Sequence, residues 1–149
     1  MQKELLRDML AQHKMTSSYA LDKINEANKN FRLNPNASSV KFIYRHLAET
    51  MNLFTTFFGL PTEVKDTTLR QTDTGQGENI EESRVLVEKG YQQLSLIIET
   101  TPEEAWLETI DTPFFGKVSR IRLFSHILFH HSHHTGQISL TLSKGGIIA

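Results

Sequence analysis

Apolar and polar positions along the chain fall into four stretches of helical period, and none reads convincingly as a strand. The first runs from about Lys3 to Ala27, with Leu5, Leu6, Met9, Leu10, Tyr19, Leu21 and Ile24 at mostly helical spacings. The segment Asn34-Pro35-Asn36-Ala37-Ser38-Ser39 breaks it. A second helix opens at Ser38 or Ser39, either a fitting N-cap, and runs to about Phe58 before Gly59-Leu60-Pro61 stops it. A polar stretch from Thr62 to Asn79 follows. A loop of this length in a small domain is functional or mobile, and a disordered connector fits equally well. The third helix spans about Ile80 to Thr100, with Val85, Leu86, Leu94, Ile97 and Ile98 as its buried side. A short helical turn is expected from Pro102 to about Thr109, then a turn over Thr112 to Lys117. The fourth helix begins near Ser119 and ends at Gly145-Gly146. Four helices with wide apolar faces and long connections after the second and third predict an all-α fold, a four-helix bundle forming one domain over residues 1–149.

Composition narrows the function classes. The 149 residues are 38% hydrophobic and 22% charged, as expected of a folded globular chain. A formal net charge of −1 gives no strong attraction to nucleic acid or anionic lipid. No cysteine is present, which excludes disulfides, cysteine-ligated zinc and a thiol nucleophile, and fits a cytoplasmic setting. The polar start Gln2-Lys3-Glu4 does not read as a signal peptide, and no apolar run approaches the roughly 18 residues needed to cross a bilayer.

Histidine changes the picture. The chain has seven, and those at 126, 130, 131, 133 and 134 crowd into the fourth helix. His130 and His134 are one turn apart, separated by about 40° on one face, the spacing by which two imidazoles of one helix share a metal. His126 continues the row one turn earlier, Leu123, Ile127 and Ile138 lie on the same side, and Gln137 falls beside it. His131 and His133 point elsewhere, either as partners to the row or as exposed side chains. On the second helix, His46 lies within a broad arc of Phe42, Ile43, Leu47, Met51, Leu53, Phe54, Phe57 and Phe58, and so points into the core. An unpartnered imidazole there would cost about 1–3 kcal/mol, which a metal facing it from the fourth helix would remove. A divalent metal held by His46, His130 and His134 is therefore predicted. Glu49, at the edge of the arc, reads as a solvated side chain, with a fourth ligand or an imidazole partner as alternatives; His13, on a more polar helix, reads as a surface residue. Three imidazoles with an open fourth position suit a catalytic site better than a structural one, and the ligand type fits zinc, nickel, iron or copper.

The stretches Tyr44-Arg45-His46-Leu47-Ala48-Glu49 and His130-His131-Ser132-His133-His134-Thr135-Gly136-Gln137 resemble the DinB family of small helical metalloproteins, across essentially the whole chain. In that family the C-terminal motif reads roughly H-x-x-H-H-R-G-Q; Thr135 stands where arginine is common. The resemblance implies an up-down-down-up bundle, a three-histidine metal site at one end of a cavity with His46, His130 and His134 as ligands, and often a homodimer. It implies no single reaction; some relatives are thiol transferases or isomerases that use a low-molecular-weight thiol.

Two functions follow as expectations. One is a metal-dependent enzyme that activates a small thiol or a water, with His126 or Glu49 as a candidate base. The other is a non-catalytic metal-binding or stress-response protein that works by dimerising or capturing a ligand. For the latter, Ser125, Ser132, Ser139 and Ser143 form a small-residue strip on the fourth helix that would let another helix approach. A serine hydrolase lacks its G-x-S-x-G element, and nucleic-acid binding lacks a basic stripe interleaved with aromatics.

Overall fold

The computed structural model describes residues 1–148. Four long helices carry the fold: α1 (Gln2–Leu21), α2 (Val40–Thr55), α3 (Ile80–Thr100) and α4 (Arg120–Lys144). Each of α1 and α2 packs against both α3 and α4. Leu47, Met51, Leu94, Ile97, Ile98, Phe124 and Ile127 fill the space between them and are almost completely buried. At Gly90 a methyl group would stand 2.6 Å from Met51 Sδ, so the missing side chain sets how closely α3 approaches α2.

The first helix ends earlier than its apolar pattern suggests. Leu21 is its last residue, although Ile24 is still buried. Asparagines end it: Asn28 Oδ1 accepts from the Asn25 N–H, Asn28 Nδ2 donates to the Lys23 carbonyl, and Asn25 Oδ1 accepts from the Ala27 N–H. These local bonds offer the backbone an alternative to the helix. The buried row on α1 is Leu6, Leu10, Ser17, Ala20 and Leu21, whereas Leu5, Met9 and Tyr19 are exposed. Val85, expected on the buried side of α3, is exposed as well.

Ser39 caps α2, its hydroxyl accepting from the Phe42 N–H, and a short 3₁₀ turn over Thr56–Phe58 leads to Gly59. The chain is mostly helical but not wholly so. The expected turn after a 3₁₀ segment at Glu103–Leu107 is a small antiparallel hairpin, β1 (Thr109–Thr112) and β2 (Gly116–Ser119). Thr112 Oγ1 donates to the Gly116 carbonyl across its tip. Strands this short carry almost no periodic signal. The hairpin places Phe114 and Phe115 beside α2 and α4: Phe114 stands edge-on to Phe54 and Phe115 edge-on to His126. No helix among the described residues is long and apolar enough to cross a membrane.

From Thr67 to Glu78 the polar stretch between α2 and α3 is tied to α2 and to the segment just before it. Asp73 accepts from the Ser39 N–H, the Ser39 hydroxyl and Arg32. Gly77, at φ +81°, lies so close to α2 that a side chain there would run into the Lys41 carbonyl. Glu78 pairs with Lys29 and Lys41. The middle of the loop is tied down by Glu49.

Candidate metal centre

His46 on α2 and His130 and His134 on α4 converge, each offering a ring nitrogen within 4.8 Å of the others. The hydrogen bonds behind the rings fix which nitrogen faces inward. The Thr68 hydroxyl donates to Glu49 Oε2 at 2.8 Å, so it accepts from His46 Nδ1, 3.1 Å away. The Thr50 hydroxyl donates to the His46 carbonyl at 2.7 Å, so it accepts from His130 Nδ1 at 3.4 Å. His134 Nδ1 donates to Gln137 Oε1 at 2.7 Å. All three Nδ1 atoms thus carry the proton, and the three Nε2 lone pairs are left for the centre. Metal-binding imidazoles are oriented in this way by partners on the other ring nitrogen.

The electrostatics agree. Burial, together with the neighbouring imidazoles, holds His130 down to about 3. Burial also holds His134 down to about 4, against a raising contribution from Gln137. His46 is lowered too, chiefly by burial, with Asp66 and Glu49 acting in the opposite sense. Neutral rings leave His130 Nε2 and His134 Nε2 facing each other at 3.3 Å with no proton between them. Two lone pairs at that separation repel. A cation between the Nε2 atoms removes the repulsion, so the donor set fits a divalent metal.

Glu49 is neither solvated nor a ligand. It is 1% exposed. Oε1 accepts from Arg45 Nε and the Thr67 hydroxyl; Oε2 accepts from the Thr67 N–H and the Thr68 hydroxyl. Two donors on each oxygen use the full acceptor capacity of a carboxylate, which leaves it nothing with which to act as a base. Burial pushes the Glu49 carboxyl up, and the hydrogen bonds from Arg45, Thr67 and Thr68 outweigh it, so the net shift is downward. The expectation of a solvated side chain failed because three of its four hydrogen-bond donors lie in a loop whose path no helical pattern reveals.

The remaining histidines divide. His126 is half-buried, edge-on to Phe54 and Phe115 and adjacent to His130. His133 is exposed beside His134. His131 is in the core, 1% exposed, with Nδ1 3.3 Å from the Thr135 hydroxyl and Nε2 without a partner. Thr135, at the position where arginine is common in the resembling family, is buried with His131 and lines a groove between α1 and α4, on the side of α4 away from the three-histidine group. His13 is not a surface residue: it is half-buried, its Nε2 donating to the Leu128 carbonyl and its Nδ1 accepting from the Tyr91 hydroxyl, each at 3.0 Å. The signal was present, since His13 lies at helical spacing between Leu10 and Ser17 on the buried row of α1. Of the serine strip, Ser132 and Ser139 are exposed along that same groove.

A cavity of about 360 Å³ opens beside the centre. His46, Thr68, His134 and Gln137 line one part of it, Leu33, Phe42 and Ile43 another, and Arg70 a third. The size suits a small ligand.

The model of the DinB superfamily matches residues 9–138, so the chain belongs to that superfamily. The fold is also similar to that of the crystal structure of a conserved protein from Enterococcus faecalis. That structure has 16% identity and a TM-score of 0.71, and the match covers 95% of this chain and 97% of that one. No curated protein matches the chain.

Proposed function

We propose that His46, His130 and His134 bind one divalent metal ion and that the protein is a metal-dependent enzyme acting on a small molecule in the adjoining cavity. The observation that carries this reading is that His46, His130 and His134 bring ring nitrogens within 4.8 Å of one another while Nδ1 of each ring is engaged by Thr68, Thr50 or Gln137. Three imidazoles alone would leave a bound ion without a fourth protein ligand, whereas a structural zinc site is normally closed by four. A metal so bound would lower the pKa of a thiol or a water, or polarise a carbonyl. Transfer of a low-molecular-weight thiol to an electrophile is the favoured reaction type, with hydrolysis second. Half-buried His126, beside the centre and not part of it, is the remaining candidate to accept a proton. An up-down-down-up four-helix bundle and a homodimer belong to the same proposal, supported by membership of the superfamily.

The test is elemental analysis of the untagged protein beside His46→Ala. Near-stoichiometric metal in the parent and its loss in the variant are expected, and thiol-transfer and hydrolysis assays with that metal then follow. A parent that takes up no zinc, nickel, iron or manganese on reconstitution would sink the proposal.

A further inference from the structure

Among the described residues, Arg70 is the only non-glycine with a positive φ, at +59°. Left-handed backbone at a bulky side chain is unfavourable and persists only where the surroundings enforce it, often at functional sites. Here the enforcing contacts are visible. The Gln71 N–H donates to the Thr68 carbonyl and closes a tight turn with Arg70 at its third position. The same Thr68 is fixed on the other side by Glu49 and His46. The turn that supports the His46 ring is therefore the turn that strains Arg70.

The side chain this backbone delivers lines the cavity beside the histidines. Its guanidinium lies 5.9 Å from the centre of the Phe114 ring, at the tip of the β1–β2 hairpin. Arg70 makes no ion pair among the described residues, and no carboxylate lines the cavity. Asp66, which acts on His46 through its charge, has its Oδ1 turned to the N–H groups of Thr68 and Leu69. An arginine placed by a strained turn, propped on an aromatic ring and left without a protein anion is suited to a ligand anion.

The geometry points to Arg70 as the residue that recognises an anionic group, a carboxylate in particular, on the small molecule whose other end reaches the three histidines. This rests on the metal-site reading, and it narrows the substrate class to small anionic compounds. Thiol carboxylates are the simplest probes.

The experiment compares 3-mercaptopropionate with the neutral thiol 2-mercaptoethanol on cobalt-loaded protein, following the visible absorption of the metal. Preference for the anionic probe by roughly tenfold is expected from one charge-assisted contact. Arg70→Gly should abolish that preference and leave the affinity for 2-mercaptoethanol unchanged. Glycine adopts φ +59° without strain, so the variant keeps its fold and its cobalt spectrum. Arg70→Lys should keep part of the preference. Equal affinity of the parent for both probes, or a preference that survives in Arg70→Gly, would overturn the assignment. Should cobalt not bind, the metal reading fails on its own, and Arg70 is then tested by NMR. In that case a shift of its Nε–H resonance on titration with propionate supports the anion site, and no shift overturns it.

Discussion

Helix α4 contributes histidines to two clusters on different sides, and the two are built differently: His131 is buried, whereas His130 and His134 are half-buried. On one side, His130 and His134 meet His46, each offering a ring nitrogen within 4.8 Å of the others, with a cavity beside them. On the other, His131 packs against His13 and Tyr91, with ring centres 4.8 and 5.7 Å away. There most polar atoms pair locally, Tyr91 with His13, His13 with the Leu128 carbonyl and His131 Nδ1 with Thr135, while His131 Nε2 is left without a partner. Burial depresses both groups alike, and His131 is held to about 3, as His130 is. A depressed pKa therefore does not separate the two groups. What separates them is that His46, His130 and His134 bring ring nitrogens within 4.8 Å of one another.

The sharpest way to break this contrast is to remove one histidine from each group. His130→Ala or His134→Ala should weaken metal binding by more than about a hundredfold, measured by competition with a chromophoric chelator. His131→Ala should leave metal stoichiometry unchanged and instead lower unfolding stability by about 2–4 kcal/mol in denaturant titration, the cost of a cavity in a filled core. If His131→Ala loses metal, the two groups are not separate.

Glu49→Gln probes the support behind His46. It keeps the shape but loses charge and half the acceptor capacity, so metal affinity should fall by about 10- to 100-fold, and the loop at Thr67 and Thr68 should loosen. An unchanged affinity would show that the Thr68 contact does not orient the ring. A smaller, graded effect is expected with pH. His130, His131 and His134 all have folded-state values well below the 6.5 of a free histidine. The unfolded chain therefore takes up protons first. Stability of the metal-free protein is full above about pH 6.5 and should fall continuously as the pH drops toward about 3. Midpoints of urea unfolding that stay flat across that range would contradict the buried, neutral assignment.

The sequence shows one of these groups and hides the other. His130 and His134 are a local pair and His46 sits inside an apolar arc, so helical spacing turns all three toward the core, and the packing of α2 against α4 brings them together. His131 and His13 needed knowledge of which α1 residues are buried, and the exposed Leu5, Met9 and Tyr19 obscured that row. Glu49 was misjudged because charge at the edge of an apolar arc normally meets water. Its four partners come from Arg45 one turn back and from a distant loop, and only the latter required the fold. The hairpin escaped notice because four-residue strands are too short for alternation to register.

The saturated Glu49 carboxylate has a kinetic consequence. Its bonds to Thr67 and Thr68, and the bond from His46 to Thr68, make the loop and the α2 imidazole parts of one opening unit. For the loop to swing out, the Thr67 N–H must leave a buried carboxylate and His46 must lose its brace. An ion held by His46 binds only the closed form, so it should raise the free energy of local opening by mass action. Amide exchange at Thr67 should slow on metal loading, while the first turns of α1, whose side chains bond Glu99 of α3 and not the loop, keep their rate.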